Sequence, residues 1–197
     1  MPDDVKNMLG QLDDKSNLNI YVNSGGGSVF AGLAIYNMLK RNQAQKTVYV
    51  DGVAASIASV IALAGDRVVI PSNAFLMIHK PWAYTAGNAN DFRKMAEDLD
   101  NIESGIMNVY KENVKEGVEM EVIQQLVDAE TWLSGEEAEK YFHIEVVEAK
   151  EVAACTSNYF EKYQKTPEKL GVKSKQSVQK EDAEQLKIQN ALDLLEL

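Results

Sequence analysis

Hydrophobic positions change period several times along the chain. LNIYVNS (18–24) is a short strand-like run that closes on GGG. SVFAGLAIYNMLKRN (28–42) then sets Val29, Leu33, Ile35, Tyr36 and Leu39 at helical spacing. KTVYVDG (46–52) alternates and is β-branched, as a strand is. AASIASVIALAG (54–65) is almost wholly apolar and ends on a glycine. It predicts a helix buried on nearly all sides, with Gly65 at its C-terminus. RVVIP (67–71) and AFLMIH (74–79) predict two further strands. Residues 88–117 predict one long amphipathic helix, opened by Asn88 or Asn90 and stopped at Gly117. Shorter helices are predicted at 119–129 and 134–142, the second opened by a capping box of Ser134 and Glu137. IEVVEA (144–149) predicts a closing strand. Strands alternating with helices predict an α/β layer architecture.

The length, 197 residues with 45% apolar and 25% charged, suits one packed domain with an appendage. The net charge of -10 argues against a nucleic-acid partner, which calls for clustered positive charge. No apolar run reaches the roughly 18 residues that span a bilayer. MPDDVKNMLG has acids where a signal peptide has bases, so neither membrane insertion nor secretion is expected, and a cytoplasmic location is. The single cysteine, Cys155, excludes an internal disulfide, and two histidines leave little room for a zinc site. No metal or nucleotide cofactor is expected. Residues 160–180 carry six lysines against Glu161 and Glu168, and residues 181–197 carry five acids against Lys187. The whole net charge therefore resides in residues 1–159. TPEKLGVKSKQSVQK (166–180) has the composition of a linker. The expected division is a domain at 1–160 and a charged linker with a short C-terminal helix at 161–197. That helix would carry Leu186, Ile188, Ala191, Leu192 and Leu195; a disordered tail is the alternative.

Three segments carry candidate chemistry. The glycines of YVNSGGGSVFAG can turn backbone N–H groups outward at a helix start, where anions are favoured. The segment lacks the Lys-Ser/Thr of a phosphate loop and the G-x-G-x-x-G pattern. A plain strand-to-helix turn is its other reading. In DGVAASIAS (51–59), Ser56 lies at the start of the buried helix. The macrodipole there favours a developing negative charge, and the N–H of Ile57 is free to hold an oxyanion. A small packing residue is the competing reading of Ser56. Ser59 lies deeper and is expected to bond backward to the backbone. In FLMIHKPW (75–82), His79 ends a strand beside a loop, where a general base could work. His143 has no such neighbours and reads as structural or exposed. A serine, a histidine and backbone donors are the parts of a serine hydrolase, which also needs a carboxylate to orient the imidazole. LVDAETWLS offers Asp128 and Glu130, and the residues alone do not rank them.

YVNSGGGSVFAGLAIYNML, VDGVAASIASVIALAGD, FLMIHKPW and ETWLSGEEAEKYFHIEVVE, in that order, resemble four motifs of the ClpP family of serine peptidases. The resemblance covers roughly residues 15–149. AASIAS, IHKPW and AETWLS resemble most the phage and prophage head-maturation branch. It implies a ClpP/crotonase-like superhelix of ββα units with a long handle helix, here 88–117. It implies Ser56 as nucleophile, His79 as general base and Glu130 as the triad acid in place of aspartate, with Asp128 as runner-up. Gly26 and Ile57 would form the oxyanion hole. Gly27, Ser28, Pro81, Trp82 and Ala83 would line the groove where a substrate peptide adds as a strand. A homo-oligomeric ring, a heptamer or a stacked pair, is implied. So is a polypeptide substrate, a phage capsid or scaffold protein or unfolded protein delivered by an ATPase, in a bacterial host cell or procapsid. Gly25 stands where the family has proline, and GDRVV shortens the link between serine and histidine. The chain starts about where the family's first helix lies, so the family's leading strand and axial segment are expected to be missing.

Alternatives of other classes are a ClpP-like ring scaffold with a weak or inactive site and a crotonase-fold acyl-CoA enzyme. Signal-peptide peptidases with a Ser-Lys dyad share the fold, and His79 in its setting argues against them.

Overall fold

The computed structural model describes residues 2–11, 17–149 and 158–167. Helix α1 (Pro2–Leu9) leads into strand β1 (Asn17–Ser24), helix α2 (Val29–Arg41) and strand β2 (Gln45–Ala55). A short helix α3 (Ile57–Ala62) connects to β3 (Arg67–Pro71), which turns into β4 (Phe75–Ile78). The long helix α4 (Ala89–Asn113) is followed by α5 (Met120–Asp128), β5 (Thr131–Ser134), α6 (Gly135–Tyr141) and β6 (Glu145–Val147). A 3-10 turn occupies Asn158–Lys162. The α/β alternation read from the sequence is the architecture found.

β2 organises the sheet. It pairs with β1 in parallel along most of its length. Its first half pairs with β3 (Thr47–Tyr49 against Arg67–Val69), its second half with β4 (Val53–Ala55 against Phe75–Met77), both in parallel. A strand has only two edges, so β3 and β4 share the edge that β1 does not use. The sheet therefore splits along β2 and curls. β6 extends it beyond β3, and β5 lies antiparallel to β4.

The alternation of side chains along β2 and β4 feeds two separate apolar clusters. Val48, Val50, Ala54, Leu76 and Ile78 enter the main core with α2, α3 and the C-terminal half of α4. Val53, Ala55 and Met77 point the other way, into a small cluster closed by Phe160 and Tyr163. Strands buried on both faces read as continuous apolar runs, which is the pattern of GVAA and FLMI. Residues 161–167 of the expected linker thus include Tyr163, which is buried on this second face.

Two expectations change. The apolar run at 54–65 is not one helix: β2 continues to Ala55, and α3 begins only at Ile57. Pairing of Val53–Ala55 with β4 decides this, since a run without period fits strand or helix equally. Between the helices predicted at 119–129 and 134–142, Thr131–Ser134 forms strand β5, an element the sequence pattern does not predict. Both predicted caps form: Asn88 and Asp91 make a capping box on α4, and Ser134 and Glu137 make one on α6. The expected C-terminal helix at 186–195 lies outside the described residues. No helix among the described residues is long and apolar enough to cross a membrane.

Candidate active site

Ser56 stands at the sharp turn between β2 and α3, with φ 56° and ψ -129°. That backbone region is costly for a residue with a side chain, by about 1–3 kcal/mol, and persists only when neighbours enforce it. Several do. The Ser56 N–H donates to Met77 O at 2.9 Å, across the sheet. The Ser56 carbonyl accepts from Ser59 N at 2.9 Å and from Ser59 Oγ at 2.6 Å. Ser59 is fully buried and also bonds Tyr110 Oη of α4 at 2.9 Å, so its hydroxyl serves the turn. This is the backward bonding expected of it. The strained strand-to-helix turn has the form of the nucleophile elbow of α/β-hydrolases, with Ser56 at its apex.

His79 follows β4 directly, so the β2–β4 register sets the two side chains beside each other. His79 Nε2 lies 2.8 Å from Ser56 Oγ. Burial pushes the imidazole down from its ordinary pKa to about 4, so it is neutral and able to accept a proton at pH 7. His143 is exposed and remote from this pair in role, as its sequence setting indicated.

The glycine turn lies against the serine. Gly26 has φ 93°, and a Cβ there would meet Ala55 O and Ser56 Cβ, each at 2.8 Å. Only glycine permits this approach. The Gly26 N–H donates to Ser24 Oγ at 3.2 Å, within its own turn. Ile57 is the first residue of α3, so its N–H lies outside the helical ladder. Ser28 is the N-cap of α2 and accepts from Ala31 N at 3.4 Å, so its hydroxyl is partly committed to capping. Gly27, Ser28, Pro81 and Trp82 line a cavity of about 280 Å³ with Ser56 and His79. The same four, with Ala83, border a second cavity of about 630 Å³ that runs along α4. The structure brings all five residues expected along the groove to these adjoining cavities.

The carboxylates are placed differently from the rest. Asp128 pairs with Lys80 at 3.1 Å, and its carboxyl is held below its usual range by hydrogen bonds from Gln124 and Lys80. Glu130, at φ 50°, accepts from the Lys165 backbone N–H through Oε1. His79 has no hydrogen bond to either carboxylate, and no acidic side chain among the described residues opposes the effect of burial on it.

Residues 158–167 lie across this site. The Tyr163 ring meets the His79 ring edge-on at 5.1 Å between centroids, and its hydroxyl donates to Gly25 O. Burial, more than the nearby Glu130 and Tyr159, pushes that phenol up to about 12, while a hydrogen bond with Ser56 works against the rise. Trp132 of β5 meets the rings of Phe160 and Tyr163 at 6.0 and 5.9 Å. Lys162 Nζ sits 5.5 Å from the Trp82 ring and 4.9 Å from that of Tyr159. Lys165 Nζ donates to Ala129 O.

Comparison with known proteins places the chain. A sequence profile described as Clp protease matches residues 5–151. The chain belongs to the Clp protease family. It is 30% identical over 142 residues to an ATP-dependent Clp protease proteolytic subunit of Bacteroides fragilis, covering 71% of this chain and 67% of that one. It is 33% identical over 143 residues to the proteolytic subunit 3 of Streptomyces coelicolor, covering 71% and 64%. A relative from Pleurastrum terricola is 30% identical over 144 residues, covering 72% of each chain. The matched region thus spans about two thirds of these relatives' length. The curled sheet with its long helix is consistent with a ClpP-like fold.

The Clp family profile ends at residue 151, before the segment that lies on the site. Sequence reading missed Phe160, Tyr163, Lys165 and Trp132. One signal was present: Tyr159, Phe160 and Tyr163 are three aromatics within five residues, where a solvated linker has few.

Proposed function

We propose that this Clp protease family member is a serine endopeptidase with Ser56 as nucleophile and His79 as general base. The observation that carries the reading is the 2.8 Å contact of Ser56 Oγ with His79 Nε2 at a strained strand-to-helix turn. His79 Nε2 takes the Ser56 proton as Oγ attacks the scissile carbonyl. The oxyanion is held by the N–H of Ile57 and that of Gly26. The 3.2 Å bond of Gly26 to Ser24 Oγ is a neutral one that a charged oxygen outcompetes. His79 then returns the proton to the leaving amine, and water, activated the same way, hydrolyses the acyl ester. Gly27, Ser28, Pro81, Trp82 and Ala83 hold the peptide along the groove. Glu130 is the residue proposed to orient His79 in the working state, with Asp128 as the alternative.

The protein works as a homo-oligomeric ring, a heptamer or a double heptamer, joined through α4. Its substrate is a phage capsid or scaffold polypeptide, met in a bacterial cytoplasm or procapsid. AASIAS, IHKPW and AETWLS support this branch of the family. The names of the relatives, subunits of ATP-dependent proteases, support an ATPase as a further partner. The test is hydrolysis of an unfolded polypeptide by the assembled protein. Ser56→Ala is expected to lower the rate by at least about a thousandfold; a variant as fast as the parent contradicts the reading. A second reading, a ring scaffold with a weak site, is favoured by one observation: His79 has no carboxylate partner among the described residues.

A further inference from the structure

We propose that residues 158–167 are a built-in inhibitory strap, which covers the Ser56–His79 pair and holds Glu130 away from the histidine. The inference rests on the peptidase reading above and adds its regulation.

Two independent sets of contacts carry it. The first is cover. Tyr163 packs edge-on against His79, bonds Gly25 O beside the proposed oxyanion hole, and lines the same cavity as Ser56. A peptide carbonyl cannot approach Ser56 from that side while the ring is there. The second is the carboxylate. Glu130 Oε1 is taken by the backbone N–H of Lys165, while Lys165 Nζ bonds the neighbouring carbonyl of Ala129. The strap thus fixes the 129–130 turn at both its peptide and its side chain. Among the described residues, no acidic side chain then bonds His79 to orient it.

The strap is also suited to leaving. Apart from the rings of Phe160 and Tyr163, its described side chains are exposed or only partly buried. The apolar face it covers, Val53, Ala55 and Met77, is the kind of surface a substrate's apolar side chains can cover in turn. Trp132, which meets both strap rings, has a buried Nε1 with no hydrogen-bond partner among the described residues. An unpaired donor weakens the closed arrangement. Substrate and strap therefore compete for one surface, and the strap's departure frees Glu130 at the same time.

The test measures the rate at which a fluorophosphonate labels Ser56 in the full-length protein, with peptide mass spectrometry to place the adduct. Tyr163→Ala removes the cover. Lys165→Pro, at an exposed position, removes the N–H that Glu130 accepts from. If the strap is closed in about nine of ten molecules, each release raises labelling by up to about tenfold. A synthetic peptide of residues 158–167, added to Tyr163→Ala, is expected to slow labelling again. Circular dichroism checks that each variant is folded, and Lys165→Pro stands alone should Tyr163→Ala fail to fold. Folded variants that label Ser56 no faster than the parent overturn the strap while leaving the nucleophile intact. Absence of a Ser56 adduct in parent and variants alike overturns the peptidase reading, and the strap with it.

Discussion

Gly26 illustrates how a single residue constrains the site. Its positive φ, and the 2.8 Å at which a Cβ there would meet Ala55 O and Ser56 Cβ, leave no room for a side chain. Gly26→Ala is expected to cost about 1–3 kcal/mol in denaturant unfolding and to suppress Ser56 labelling together with it. An unchanged midpoint would exclude this packing. His79 gives a second prediction. Its pKa is near 4 in the folded protein against 6.5 when exposed. Below pH 6.5 the unfolded chain binds a proton that the folded one refuses, so stability falls as pH drops from 6.5 to 4. The loss is on the order of 3 kcal/mol at most. Unfolding midpoints of the parent and of His79→Gln, followed across that window, check it: the parent should fall more steeply. At this scale the sequence was informative. The sequence singles out Ser56, His79 and the glycine turn, which the fold brings together, because a small residue after a strand, a histidine at a strand end and GGG have few structural explanations in combination. The carboxylate was not legible, because side chains of Asp128 and Glu130 differ in where they point, which depends on Lys80 and on Lys165, the latter distant in sequence.

At the scale of elements, the hydrophobic pattern places most strands and helices, and capping residues mark where helices start. The cap of α6 was readable from Ser134 and Glu137, and Ser134→Ala is expected to cost about 1 kcal/mol. A thermal melt of that variant checks it, and the labelling rate at Ser56 should barely move. The end of β2 was misread because AASIASVIALAG has no period, and its division into strand and helix is decided by hydrogen bonds to β4. That same division creates the elbow, so the misread boundary coincides with the site. Gly32 makes a related packing demand: a Cβ there would lie 2.2 Å from Ile57 Cγ1, so α2 and α3 touch at a glycine. Gly32→Val is expected to displace Ile57, and with it the proposed oxyanion donor. Slower turnover at unchanged KM, in peptide hydrolysis, is the result to look for.

At the scale of the whole molecule, the long helix packs unevenly against the described residues. Helix α4 is 25 residues long, about 37 Å, yet its buried residues Ile106, Val109 and Tyr110 all lie in its C-terminal half. The first half carries Phe92, half exposed, and the partly buried Met95 and Leu99. If rings join through this helix, Phe92→Asp is expected to lower the assembled mass seen in mass photometry; an unchanged mass argues against the joint. The packing of residues 158–167 on the second face of β2 and β4 was legible only as a need: GVAA and FLMI call for cover on both sides, while the composition after residue 160 pointed to a linker. The central claim is that Ser56 is an activated nucleophile. The most direct measurement is fluorophosphonate labelling of the full-length, assembled protein, followed by peptide mass spectrometry with Ser56→Ala as control. An adduct on Ser56, lost in the variant, is the expected result. A folded, assembled protein that gives no adduct there, even after Tyr163→Ala, would contradict it.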